Sequence, residues 1–266
     1  MLGGGFKRNV KQYSMAISAC ELVHRWDASL SLLAEMHERW LEPNASSTRS
    51  VINACGKGRR WDAALAVLED WVEADAGCYA AAVGVCATGR AWAFACRLLL
   101  EAWDRGLQLH AASYSAAIGA CLQDHALPSA IGIMQEAKNS GVVLPVSSYR
   151  ALLGACGKAK SWQEALRIQR DMQACGASPN LVGWNVVANA SLRSKQWSRV
   201  LNILSEMKEC GPAPDRITYN VAMRACGRGK HWRGALQLLE EMEASALHCD
   251  AKGYSAVITT CGEAGA

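Results

Sequence analysis

Between Arg216 and Asp250 the apolar positions fall into two sets, Val221, Met223, Ala225 and Cys226, then Trp232, Ala235, Leu236, Leu238, Leu239 and Met242. Each set follows the spacing of one face of a helix, so the segment predicts two amphipathic helices. The stretch Cys226-Gly-Arg-Gly-Lys230 lies between them. Glycine enters the left-handed conformation without a steric penalty, and it is expected to end the first helix there. Pro214-Asp215 and Pro179-Asn180 are expected to punctuate the loops ahead of the next first helices.

The same pattern recurs along the chain. Trp26, Trp61, Trp92, Trp162, Trp197 and Trp232 are separated by 35, 31, 70, 35 and 35 residues, and Leu127 fills the skipped register. A second ladder runs through Cys20, Cys55, Cys86, Cys121, Cys156, Cys226 and Cys261, with Ser191 on the remaining rung. Together they predict a lead-in over 1–9, seven repeats at 10–44, 45–75, 76–110, 111–145, 146–180, 181–215 and 216–250, and the first helix of an eighth over 251–266. A single hairpin is too small to bury its own apolar face, so neighbours must stack and share one core. The expected fold is all-α, a solenoid of helix-turn-helix repeats of about 35 residues with an inner groove.

Composition narrows the function classes. With 266 residues, 51% of them hydrophobic, the chain has ample material for a core, which excludes a disordered class. The net charge of +4 permits a nucleic-acid partner only if the basic surface is local. Twelve cysteines without a cleavable apolar leader point to a reducing compartment. The apolar run Ala91 to Leu100 is broken by Arg97 and is far shorter than the ~18 to 20 residues of a membrane span, so no membrane partner is expected.

The remaining chemistry is sparse. No C-x₂-C pair is present, and equivalent cysteines on stacked helices stand about 8 to 10 Å apart, beyond disulfide reach, so the ladder reads as small core residues with no metal. The six histidines form no H-E-x-x-H pair, and Gly56-Lys57, Gly157-Lys158 and Gly229-Lys230 lack the upstream glycine of a phosphate-cradling loop. No catalytic residue, cofactor or small-molecule substrate is expected. The tryptophans are expected in the hairpin core, with Tyr13, Tyr79, Tyr114, Tyr149, Tyr219, Tyr254 and Trp184 on an equivalent rung.

Ile217-Thr-Tyr-Asn220, Ala54-Cys-Gly-Lys-Gly-Arg-Arg-Trp-Asp-Ala-Ala-Leu65 and Glu206-Met-Lys-Glu-Cys-Gly-Pro-Ala-Pro-Asp215 resemble the pentatricopeptide repeat family, and the resemblance covers nearly the whole chain. It implies a right-handed superhelix that binds single-stranded RNA, in a mitochondrion or chloroplast, with one base per repeat read by the fifth and last residues. Ser14 with Asn44 would favour adenine, and Asn185 with Asp215 and Asn220 with Asp250 would favour uracil. The pairs Arg49 with Asp75, Ala80 with His110, Ser115 with Pro145 and Arg150 with Asn180 depart from the family's code, and Ser255 has no last-position partner. Ser115 and Ser255 still stand at reading positions. The implied footprint is an adenine, four unread positions, then two uracils.

The second, fifth, ninth and thirteenth residues of each repeat share one helix face. Lys57, Lys158, Arg193 and Arg228 occupy the thirteenth position, where they could meet phosphates or simply complement the helix dipole, worth ~0.3 to 1 kcal/mol. Asn185 and Asn220 could read bases or be solvated polar residues, and Asp215 and Asp250 could read bases or cap the next helix. The family's nuclease and editing domains find no residues here, and the chain, with only nine residues before its first repeat, is expected to be a fragment of a longer protein. A rival expectation is a protein-interaction solenoid whose RNA groove has decayed, with other proteins as partners.

Overall fold

The computed structural model describes residues 9–71, 74–175 and 181–264. Asn180, Pro179, most of the lead-in and Gly265 lie outside these. The described residues form fifteen helices in two compact units, 1–145 and 146–266. The first unit holds α1 (Val10–Leu22), α2 (Trp26–Glu38), α3 (Ala45–Lys57), α4 (Trp61–Glu69), α5 (Ala76–Thr88), α6 (Trp92–Asp104), α7 (Ala111–Gln123) and α8 (Leu127–Asn139). The second holds α9 (Val146–Ala159), α10 (Trp162–Ala174), α11 (Leu181–Arg193), α12 (Trp197–Cys210), α13 (Arg216–Arg228), α14 (Trp232–Ala244) and α15 (Ala251–Ala264). The fold is an all-α repeat array. No helix among the described residues is long and apolar enough to cross a membrane.

The odd helices start where a polar cap allows. Asn9, Asn44, Asp75 and Asp215 each accept the backbone N–H three residues on, which satisfies one of the amides a helix start leaves unpaired. The even helices begin at Trp or Leu with no side-chain cap, so packing rather than capping fixes them.

The odd helices end differently from the sequence expectation. Gly229 stays right-handed at φ −84°, and the left-handed residue is Lys230 at φ 58°. The same geometry recurs at His24, Arg59, Arg90, His125, Lys160 and Lys195. The next amide then reaches back to the cysteine-ladder carbonyl, as in His231 N–H to Cys226 O at 2.9 Å and Arg60 N–H to Cys55 O at 2.9 Å. This closes the helix end as a Schellman turn does. Glycine at 58, 89 and 229 serves packing instead: a Cβ there would stand 2.3, 2.6 and 2.7 Å from Trp26, Trp61 and Trp197.

That contact relocates the tryptophans. Expected in the hairpin core, Trp26, Trp61 and Trp197 are half-buried and pack on the turn of the following repeat. Arg60 stacks over Trp26 at 4.8 Å, Trp61 meets Phe94 at 5.3 Å, and Trp197 meets His231 at 4.8 Å. The core proper runs through Tyr13, Tyr79, Tyr114, Tyr149, Trp184 and Tyr219, all buried, whereas Tyr254 is exposed. Within each unit the odd helices pack on one another in series, each even helix packs on the odd helix before it and, except for α8 at the end of the first unit, on the one after it, and no two even helices are packed comparably. The odd layer is therefore the tighter side of each stack.

Candidate nucleic-acid interface

In each unit the open face of the odd helices carries a cleft. In the first unit Asn53, Lys57, Arg59, Ala80, Gly84 and Arg90 line one between α3 and α5. In the second, Arg224, Arg228, Lys252, Ser255, Thr259 and Glu263 line another between α13 and α15. The second cleft brings the predicted Arg228 and Ser255 together. Both clefts draw on the ninth and thirteenth residues of their helices, as helical periodicity requires of a shared face.

The fifth residues meet the caps of the next odd helix. Asn185 Nδ2 donates to both Asp215 oxygens, at 3.1 and 3.3 Å, and Asn220 Nδ2 donates to Asp250 Oδ1 at 3.1 Å. Asp215 and Asp250 also accept the backbone amides of Thr218 and Gly253, each at 2.9 Å, so capping and pairing use one carboxylate. Burial raises the Asp215 pKa, but the Thr218 amide and hydroxyl and the Asn185 amide outweigh it and hold the carboxyl below its ordinary range. The Gly253 amide is the main cause of the same depression at Asp250.

The two asparagines differ in one atom's surroundings. The Thr218 hydroxyl lies 2.7 Å from Asn185 Oδ1 and 2.8 Å from Asp215 Oδ1, and Asn185 is only 8% exposed. Gly253 stands where Thr218 would, so Asn220 Oδ1 is buried without a hydrogen-bond partner among the described residues, and Asn220 is half-buried. Ser14 reaches Asn44 indirectly: its Oγ is 2.7 Å from Ser47 Oγ, which donates to Asn44 Oδ1 at 2.9 Å. Ser115 Oγ donates to Ala111 O at 2.7 Å, and Ser255 is exposed. Burial raises the Asp75 pKa, but the Cys78 bonds and then the charge of the Arg49 guanidinium, which lies over Gly77, outweigh that and lower it.

The thirteenth-position cations are exposed and tied backwards. Lys57 Nζ donates to Glu21 O at 3.1 Å, Arg193 to Gly157 O at 3.3 Å and Arg228 to Leu192 O at 2.5 Å. Each bond engages the carbonyl end of the preceding odd helix, the negative pole of its dipole. An arginine has five N–H donors, so most remain available. Lys158 is exposed at the equivalent place.

Sequence reasoning missed the third residue of the next repeat, Ser47 or Thr218, because its partner lies 33 residues away. It also missed Cys96, off the ladder on α6, whose Sγ is 3.8 Å from Cys121 Sγ on α7. The ladder cysteines at 55, 86, 121, 156 and 226 are buried, and no group of three or more metal-ligating side chains occurs among the described residues.

Residues 104–266 match the pentacotripeptide-repeat region of PRORP, and residues 46–75 match the PPR repeat. No curated protein matches significantly. Among solved structures, the pentatricopeptide repeat protein PPR10 in complex with an 18-nt psaJ RNA element superposes with a TM-score of 0.55 at 18% identity, over 98% of this chain and 38% of that one. The PPR domain of Arabidopsis thaliana protein-only RNase P 1 in complex with tRNA gives 0.53 at 15% identity, over 68% of this chain and 95% of that one. Nuclear proteinaceous RNase P 2 from A. thaliana gives 0.51 at 19% identity, over 57% of this chain and 34% of that one.

Proposed function

Since the chain belongs to the pentatricopeptide repeat family, we propose that it binds single-stranded RNA along the open face of its odd helices and acts without catalysis of its own. The observation that carries this reading is the pairing of Asn185 with Asp215 and Asn220 with Asp250 on successive repeats. Each pair presents a fixed amide and carboxylate at the place where the family reads a base, and each good pair of hydrogen bonds to a base edge is worth ~1 to 3 kcal/mol of discrimination. In each unit the thirteenth-position cations, Lys57 in the first and Lys158, Arg193 and Arg228 in the second, border the odd-helix face and would supply phosphate contacts. Two similar structures that hold RNA, PPR10 and protein-only RNase P 1, support the partner class. The role that follows is protection, processing or translation of a transcript in a mitochondrion or chloroplast.

Ser14 with Asn44 would favour adenine and the two Asn with Asp pairs adjacent uracils; the remaining pairs, with Ser115 and Ser255, would accept any base. Selection from a random single-stranded RNA library tests this. Enrichment of two neighbouring uracils is expected, and recovery of sequences with no preference at any position would contradict it. A second reading, a protein-interaction solenoid, is favoured by the burial of Asn185 beneath Thr218 and Asp215. Failure of the whole chain to retain any RNA from the pool would favour that reading.

A further inference from the structure

We infer that the cations two residues past the thirteenth position form a second phosphate-binding row, which runs beside the first and holds the backbone of the bound strand. The inference rests on the RNA reading of this face. Its members are Arg59 and Arg90 in the first unit and Lys160, Lys195 and Lys230 in the second, with His24 and His125 at the equivalent turns, all in the left-handed conformation with φ from 57° to 62°.

Their identity is not what the backbone asks for. A side chain with a Cβ is strained in the left-handed region and glycine is not. At the ends of the even helices the same conformation is taken by Gly106, Gly141, Trp40 and Ala246, none of them cationic. At the ends of the odd helices it falls on a basic or histidine side chain in seven turns out of seven. Conformation alone does not select these residue types, and five of the seven are lysine or arginine.

Nor is the charge used within the protein. All seven residues are exposed, and none of their side chains forms an ion pair or hydrogen bond with another described residue. Their immediate neighbours behave otherwise: Arg25 and Arg60 are bound to Asp27 and Asp62 at 3.1 and 2.9 Å. The helix-end carbonyls are served by Lys57, Arg193 and Arg228, so the dipole has its cation already.

Position completes the case. Arg59 and Arg90 line the same cleft as Lys57, so both rows border one groove in the first unit. In the second unit the turns are fastened in series, with Ser194 Oγ donating to Lys160 O at 2.7 Å and Arg228 to Leu192 O. Packed helices stand about 8 to 10 Å apart, which places one such side chain per repeat along the odd helices of each unit. Phosphates recur at the same count, one per base read.

Replacement of Lys160, Lys195 and Lys230 by glycine in the full chain tests the row, because glycine keeps the turn and relieves its strain. Fluorescence anisotropy with a random single-stranded RNA over a salt series gives the slope of log affinity against log salt. Loss of three phosphate contacts, at ~0.7 each, makes that slope shallower by about 2, while the unfolding temperature holds or rises. The Lys→Asn triple variant, asparagine being at ease in the left-handed region, should do the same. An unchanged slope in both variants overturns the row alone, and a lowered unfolding temperature with an unchanged slope shows that the cations serve only the helix ends. Absence of RNA binding by the unaltered protein overturns the RNA reading and the row together.

Discussion

Asn185 and Asn220 carry the same residue type at the same register, and Thr218 against Gly253 makes them unequal. The Thr218 hydroxyl joins Asn185 to Asp215, so Thr218→Val leaves buried acceptors unpaired and should cost about 1 to 3 kcal/mol in urea unfolding. The depressed Asp215 pKa gives a pH dependence of definite sign. Its contribution is complete above the unfolded value of about 3.9 and is lost as pH falls through the lower folded value. Asp215→Asn should therefore flatten the acid limb of a stability–pH curve. Asn220 is the less constrained of the two, and if it reads a base as proposed, Asn220→Thr with Asp250 kept should move base preference from uracil towards guanine, as the family's code implies. Binding to oligomers that differ at that one base checks it, and an unchanged preference would show the pair is not read.

At the scale of elements, helix starts and the buried tyrosine rung were legible because periodicity and caps act within a few residues of chain. The left-handed residue was not: Gly229 sits beside Lys230 and offered the cheaper conformation, yet it is held right-handed and serves as a seat for Trp197. That contact joins residues 32 apart and leaves no local signal. Gly229→Ala should drive a Cβ to 2.7 Å from the indole and cost about 1 to 3 kcal/mol, whereas Gly84→Ala, which meets nothing within 4 Å, should be neutral or stabilising by up to about 1 kcal/mol. Thermal unfolding of the pair separates a packing role from general helix propensity. Trp197→Ala removes the same contact from the other side and should lower stability by less than the ~3 to 5 kcal/mol of a fully buried tryptophan, since the ring is half-buried.

Across the whole molecule, the net charge of +4 understates the basic character of the odd-helix face. Several cations on or beside the even helices are paired, with Arg97 to Glu69 on α4, Arg105 to Glu101 of α6, and Lys208 to Glu241 on α14, while on the odd face Lys57 pairs with Glu21. Such exposed pairs add only ~0 to 1 kcal/mol each to stability, but they cancel charge locally. Composition could show only the total, because the sorting of paired from unpaired cations depends on which helices stand side by side. The fifth and last positions of each repeat were legible from register alone; what surrounds each of them was not. The most direct test of the account is the affinity of the full chain for single-stranded RNA across a salt series. With the four thirteenth-position cations on phosphates, log affinity should fall with log salt at a slope of about −3 or steeper. A slope near zero would contradict the claim that this face holds a nucleotide strand.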